Sequence, residues 1–150
     1  MKLSAAALLT IPLTRAGFTK TILATDDAPA AIGPYSQGVV VSDENGNGMI
    51  YVAGQIGLTA GEGGDLVPGG VKAETVQLME NIKSILAKGA TEMTNIVECT
   101  VLMADLTNEY ADFNSIYATY FDDAPPVRAA FEVVKLPKDA RAEVKCSAMI

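Results

Sequence analysis

The apolar and polar positions along the chain alternate between a strand-like and a helix-like period. Runs rich in β-branched and apolar residues at 20–25, 37–43 and 48–54 predict three strands near the start. Between the last two, Asn45-Gly46 predicts a hairpin turn because both residues tolerate positive φ. The glycine-rich stretch 58–70 lacks GK[ST] and GxGxxG motifs, which favours a surface loop over a phosphate cradle.

The period becomes helical further along. Apolar residues from Val71 to Leu86 recur at helical spacing, and Gly89 predicts the end of a helix over 71–88. A second helix is predicted over 107–121, with an aromatic stripe best explained by core packing. Strands are predicted at 95–105, 127–134 and 142–150.

This order, β-ββ-α-β-α-ββ, predicts an α+β domain in which two helices cover one face of a mixed sheet. The opposite face is then left partly apolar. Such a face is commonly covered by assembly around a symmetry axis, so we expect an oligomer.

Composition limits the chemistry. The 150 residues suit one domain, and a net charge of -7 disfavours nucleic-acid binding. The complete absence of histidine excludes Ser-His and Cys-His pairs and the commonest transition-metal ligand. The two cysteines, Cys99 and Cys146, lie far apart in apolar runs, and we expect two free buried thiols rather than a disulfide.

Residues 1–18 differ from the rest. They contain Lys2 and Arg15, and no acidic residue precedes Asp26, a composition typical of organellar transit peptides. A secretory signal and an extension without an address remain alternatives. The apolar stretch is too short for a membrane span. The segment is therefore interpreted as an N-terminal extension preceding a domain over 19–150, and the location as cytoplasmic or, with a transit peptide, mitochondrial or plastidic.

Two residues stand out as candidates for chemistry. Tyr35 follows the Gly33-Pro34 break, a position that suits either a binding residue or a half-buried core aromatic. Arg128 lies within an apolar strand, where a guanidinium requires an anion. That anion is either a ligand carboxylate or Glu143 on the following strand.

Several motifs in register resemble one family. The runs are "APAAIGPYSQGV", "AGQIG", "NIKSIL", "FNSIYATYF" and "VRAAFEVVKLPKDARAEV". From Thr19 to Ile150 the chain resembles the reactive intermediate deaminase (RidA, YjgF) family. The resemblance implies a chorismate-mutase-like fold and a homotrimer with three clefts between subunits. It also implies hydrolysis of 2-imino and 2-enamino acids, such as 2-iminobutyrate and 2-aminoacrylate, to 2-keto acids and ammonia, with no cofactor, metal or membrane.

The resemblance also implies roles for individual residues. Arg128 would bind the substrate carboxylate and Glu143 would position or activate water. Tyr35, Gly54 and Asn114 match the remaining substrate-binding positions. The chain departs from many members at Ala53, where a serine is common, and at Ala129-Ala130, where bacterial members often have Ser-Cys. These departures concern substrate preference and rate.

Two other functions were considered. A non-catalytic trimer that binds a carboxylate metabolite would use the same arginine, but the presence of Glu143 beside Arg128 favours the enzyme. A translation-inhibiting ribonuclease, the older label of the family, is disfavoured by the lack of histidine and the negative charge.

Overall fold

The computed structural model describes residues 9–11 and 17–150, which form one seven-stranded sheet and two α-helices. The strands are β1 (Leu9–Ile11), β2 (Thr19–Leu23), β3 (Gly38–Ser42), β4 (Gly48–Val52), β5 (Ile96–Met103), β6 (Val127–Glu132) and β7 (Ala142–Met149). The helices are α1 (Gly70–Lys88) and α2 (Leu106–Tyr117). Single 3₁₀ turns lie at Met93–Asn95, Ala118–Tyr120 and Pro137–Asp139.

The sheet has the order β1-β2-β3-β4-β7-β5-β6. All neighbouring strands are antiparallel except β5 and β6, which are parallel. Parallel neighbours need a crossover connection, and α2 provides it. The last strand, β7, lies between β4 and β5 and joins the two halves of the domain. The prediction of an α+β mixed sheet with two helices is confirmed.

The main core lies between the sheet and the helices. Leu78, Met79, Ile82 and Ile85 of α1 are fully buried against inward-facing strand residues. A second, smaller cluster lies beside the sheet and consists of Ile56, Leu58, Leu136 and Ala140. This smaller cluster supports the loops that form the candidate site. No helix in the described part of the chain combines the length and the apolar character needed to cross a membrane.

The helix ends follow local chemistry. The backbone N–H of Gly89 donates to the carbonyls of Ile85 and Leu86, which ends α1 where the sequence predicts. The Asp105 side chain accepts the N–H of Asn108 and caps the start of α2. The second helix is shorter than predicted, because the chain changes to a 3₁₀ turn after Tyr117.

The predicted hairpin joins β3 to β4. Positive φ was predicted for both turn residues. Gly46 has a φ of 85°, but Asn45 is not among the residues with positive φ. The Asp43 carboxylate accepts the N–H groups of Asn45 and Asn47, so an aspartate side chain organises this turn.

The prediction of two free thiols is wrong. Cys99 and Cys146 form a disulfide although they are 47 residues apart in sequence. They are direct partners in the pairing of β5 with β7, and both are almost completely buried. The spacing of the two cysteines along the chain does not predict this disulfide, because their proximity depends on the position of β7 beside β5.

Part of the predicted N-terminal extension belongs to the sheet. Within it, β1 pairs with β2, with Thr10 opposite Thr21. Residues 1–8 and 12–16 lie outside the described residues, so the predicted targeting role and the boundary at residue 18 stay predictions.

Candidate active site

A concave site, called here the Glu143 cavity, opens beside the start of β7. Its volume is about 310 Å³. Its walls come from the loop between β2 and β3, the segment after β4 and the turn before β7. The lining consists of Pro29, Ala30, Ile32, Tyr35, Gln37, Ala53, Gly54, Gln55, Ile56, Leu58, Pro137 and Glu143. The cavity is therefore mainly apolar and contains one ionisable carboxyl group.

The Glu143 carboxyl group faces the backbone of Gly54. A Cβ atom at position 54 would overlap the carboxylate, so any residue other than glycine there would force the Glu143 side chain to move. Burial raises the pKa of Glu143 above its ordinary value of 4.5. Among residues 17–150, no group donates a hydrogen bond to this carboxylate, which leaves its oxygens available to a molecule in the cavity.

The backbone around Gly54 is tightly held. Ala53 N–H donates to the carbonyl of Gln37, and Gln55 N–H donates to the carbonyl of Val144. The Gln55 side chain donates to the carbonyls of Ala53 and Gly54. Between these fixed neighbours, the N–H of Gly54 has no acceptor in the described chain. The backbone of Gly54 thus lies against the Glu143 carboxylate in the cavity.

Tyr35 lies at the mouth of this cavity. Its N–H donates to the carbonyl of Gly33, and its hydroxyl accepts the N–H of Ile32 at 3.2 Å. The Gly33-Pro34 turn therefore folds the ring back over its own loop. The side chain is 49% exposed, so Tyr35 lines the cavity rather than the core.

Arg128 lies elsewhere, on an open depression that we call the Arg128 surface. It is lined by Arg128, Asn114, Tyr117 and the segment around Pro125 and Pro126. One terminal nitrogen of the guanidinium donates to Asn114 Oδ1 and the other to the Tyr110 hydroxyl, each at 2.8 Å. The guanidinium carbon also lies 4.7 Å from the ring centre of Tyr117. The cation is thus oriented by α2.

The two candidate catalytic residues lie on opposite faces of the sheet. Arg128 is the partner of Cys99 on β5, whereas Glu143 is the partner of Leu102. Positions 99 and 102 are an odd number of residues apart on one regular strand, so their side chains point in opposite directions. No ion pair joins Arg128 to Glu143 within the described residues. The internal ion pair considered from the sequence is therefore absent.

The five predicted site residues fall into two groups. Tyr35, Gly54 and Glu143 lie together in the Glu143 cavity. Arg128 and Asn114 lie together on the Arg128 surface. A single chain does not bring the two groups together, because the sheet separates them.

The sequence did not predict Tyr110 and Tyr117 as site residues, although both contact Arg128. Phe113 and Tyr117 are buried, as the predicted core stripe requires, but Tyr110 is 36% exposed and bonded to Arg128. The Tyr117 hydroxyl is buried and has no hydrogen-bond partner among the described residues, and burial raises its pKa to about 12. Positions 110, 114 and 117 lie at i, i+4 and i+7, so helical spacing alone places them on one face.

Across the described residues, acidic and sulfur side chains nowhere form a metal-binding group of three.

Comparison with known proteins decides the family. The model of the endoribonuclease L-PSP family matches residues 25–150. The chain belongs to this family. The match covers β3 to β7, both helices and all five candidate residues, and it confirms the resemblance to the RidA and YjgF proteins.

Members of this family with assigned names resemble the chain over most of its length. A protein from Bos taurus named 2-iminobutanoate/2-iminopropanoate deaminase is 43% identical over 130 residues, which cover 87% of this chain and 90% of the relative. The YjgF gene product of E. coli is 39% identical with a TM-score of 0.72, covering 85% and 96% of the two chains. E. coli TdcF with bound serine is 34% identical with a TM-score of 0.74, covering 86% and 98%.

Proposed function

We propose that this L-PSP family member is a hydrolase that deaminates 2-imino acids, such as 2-iminobutanoate and 2-iminopropanoate, to 2-oxo acids and ammonia. Enamine tautomers such as 2-aminoacrylate reach the same product. The observation that carries the proposal is the Glu143 carboxylate, which is half-buried, has no hydrogen-bond donor among the described residues and lines a concave, mainly apolar site. The name of the Bos taurus relative supports the same reaction.

The reaction needs only positioned water and a proton acceptor. The C2 carbon of a protonated imine is electrophilic, so water adds to it while Glu143 accepts a proton from that water. Protonated Glu143 returns this proton to the nitrogen of the resulting amino alcohol, the C–N bond breaks to release ammonia, and the hydroxyl passes its proton to the Glu143 carboxylate as the carbonyl forms; that proton then leaves with ammonia as ammonium. A raised pKa brings Glu143 closer to neutral pH, which suits a group that first accepts and then returns a proton.

The Gly54 N–H supplies a second interaction in this scheme. It lies beside Glu143 and lacks an acceptor in the described chain, so it can donate to a substrate oxygen. Tyr35 at the mouth limits how the substrate enters. Neither group requires a metal or an organic cofactor.

The substrate carboxylate requires a cation that the Glu143 cavity lacks. We assign this role to Arg128 of the partner subunit, in a homotrimer whose clefts join one subunit's Glu143 cavity to the next subunit's Arg128 surface. Asn114, Tyr110 and Tyr117 already hold the guanidinium, which reduces the entropy lost on binding a carboxylate. The exposed apolar side chains Val127 and Phe131 on β6 support a contact between subunits there.

The test is a deaminase assay. 2-Iminobutanoate is generated in the cuvette by a threonine dehydratase, and its removal is measured with and without the protein. We expect the protein to accelerate formation of 2-oxobutanoate well above the spontaneous rate in water. Absence of acceleration, with a folded oligomer confirmed by light scattering, would refute the proposed activity.

A non-catalytic amino-acid-binding trimer is the second candidate. It is favoured by the structure of TdcF, which contains bound serine, a molecule without an imine. Calorimetric titration with serine, run beside the deaminase assay, separates the two functions. The family's ribonuclease name is not carried over to this chain, because a net charge of -7 and the absence of histidine suit neither RNA binding nor the usual acid-base pair.

A further inference from the structure

Two buried amide side chains hold the two segments that form the apolar walls of the Glu143 cavity. Gln37 at the start of β3 is 6% exposed, and Asn81 in the middle of α1 is 1% exposed. Buried amides are stable only when their donors and acceptors are paired. Both amides pair mainly with backbone carbonyls of the segments that form the cavity walls.

Gln37 holds the first wall. Its amide nitrogen donates to the carbonyl of Pro29 at 2.7 Å and to that of Thr25 at 3.0 Å. Its carbonyl oxygen accepts the N–H of Thr25 at 2.7 Å. The loop 24–37 is held on one side by backbone bonds between Ala28, Ala30 and Gly61, and the Gln37 side chain supplies the bonds that join it to the start of β3.

Asn81 holds the second wall. Its amide nitrogen donates to the carbonyl of Leu58 at 2.9 Å and to that of Ile56 at 3.3 Å. Its oxygen accepts from the Gln77 side chain at 2.9 Å, which fixes the orientation of the amide. The segment 56–58 lies beyond the end of β4, and this bond ties it to the helix beneath.

The walls held in this way are apolar, and the reacting groups lie apart from them. Pro29 and Ala30 line the cavity from the loop after β2, and Ile56 and Leu58 line it from the segment after β4, whereas Glu143 belongs to β7 and faces Gly54. A substrate held at Glu143 therefore places its side chain between the two walls. Apolar walls of fixed separation discriminate side chains by size, typically by 10- to 200-fold per methylene group.

We propose that Gln37 and Asn81 are positioning residues that fix the width of the Glu143 cavity and thereby determine which side chain of a 2-imino acid is accepted. The inference rests on the proposed function, because it takes this cavity as the substrate site. Neither amide touches the reacting atoms, since their polar atoms are used by the backbone and by Gln77. Their effect is on the ratio of affinities between substrates rather than on the chemical step.

The test compares two product 2-oxo acids of different size. Dissociation constants for 2-oxobutanoate and 4-methyl-2-oxopentanoate are measured by calorimetry on the assembled protein and on Gln37→Met and Asn81→Leu, which keep side-chain volume but lose the hydrogen bonds. We expect the wild type to separate the two acids by about tenfold or more, and each variant to reduce that ratio at least threefold. The kcat/KM ratio for the corresponding imino acids should change in parallel.

Thr75→Val is the matched control. Thr75 is also fully buried on α1, and its hydroxyl donates to the carbonyl of Val71 within the same helix, so its hydrogen bond holds neither wall segment. This variant should lower the melting temperature to a similar degree while leaving the ratio of dissociation constants unchanged. If Asn81→Leu fails to fold, Asn81→Asp, which keeps the shape but loses the donor, takes its place.

Two outcomes would overturn the inference. One is a wild type that binds both acids equally, and the other is folded variants that keep the wild-type ratio. A wild type without imine turnover would refute the proposed function alone, because the ratio of dissociation constants does not depend on catalysis.

Discussion

The Glu143 cavity and the Arg128 surface lie on opposite faces of one sheet and are built differently. The cavity is concave, mainly apolar and complete within one chain, and its carboxylate has no partner among the described residues. The Arg128 surface is open, and its cation is already satisfied by Asn114 and Tyr110. The first region is suited to chemistry and the second to presenting a preoriented charge. This difference is what the proposed trimer requires, in which each chain supplies half of two separate sites.

The largest effect is expected for Glu143→Gln, which tests the role of the Glu143 cavity in the chemical step. The amide cannot accept a proton from water, so kcat should fall by about 100-fold to 10,000-fold while affinity for 2-oxobutanoate stays nearly constant. Steady-state kinetics and calorimetry measure the two quantities. A variant that loses affinity and keeps kcat would show that Glu143 binds substrate rather than activates water.

The pH dependence of the wild type sharpens this prediction. The ionised form of Glu143 accepts the proton, and burial raises its pKa above 4.5. As the pH falls, kcat should therefore decline at a higher pH than an ordinary glutamate would give. The same raised pKa means that the folded state binds the proton more tightly, so this residue's contribution to stability decreases as pH rises through its folded pKa.

The variants Arg128→Ala and Arg128→Lys test whether the Arg128 surface binds the substrate carboxylate. Both should lose roughly 100-fold in kcat/KM, about 2.7 kcal/mol, because an ammonium lacks the planar fork that binds a carboxylate bidentately. The trimer should survive, as judged by light scattering. Lys72→Ala, which removes an exposed ion pair with Asp112, is the control and should leave kcat/KM unchanged. Full activity with a much lower melting temperature would make Arg128 a purely structural residue.

Gly54→Ala tests whether the cavity depends on close approach to Glu143. The added Cβ displaces the carboxylate, and we expect a loss of about tenfold or more in kcat, within the range for a misplaced catalytic group. The substitution should have little further effect in the Glu143→Gln background, because both changes act on one group. Additive losses in the double variant would instead assign Gly54 an independent role.

The smallest effect is expected from deleting residues 1–16. In the described chain β1 is the edge strand of the sheet and pairs with β2, whereas β7 and β6, which carry Glu143 and Arg128, lie further along the sheet. kcat/KM should change by about twofold at most, as is usual for a terminal segment outside the core. Amide exchange should accelerate within 19–23. A truncated protein that fails to assemble would show that the segment is needed for the oligomer.

The sequence predicts what depends on local patterns. The two helices, the hairpin and six of the strands follow from periodicity and turn residues, and Tyr35 and Arg128 stand out by their immediate neighbours. The disulfide was missed because the pairing of Cys99 with Cys146 depends on β7 entering between β4 and β5. The separation of Arg128 from Glu143 was missed for the same reason, since strand order decides which faces two residues share. Tyr110 was assigned to the core because the aromatic stripe gave no sign of an arginine on a distant strand.

The central claim is that one active site combines Glu143 of one subunit with Arg128 of the partner subunit. Co-expression of Arg128→Ala with Glu143→Gln chains, differently tagged, gives mixed trimers from two inactive parents. Random mixing places an intact Glu143 cavity beside an intact Arg128 surface in about a quarter of the sites. Purification on both tags removes the homotrimers, and each remaining mixed trimer holds one intact site among its three, so we predict recovery of about a third of wild-type kcat per site. Activity no higher than that of either parent would contradict the account.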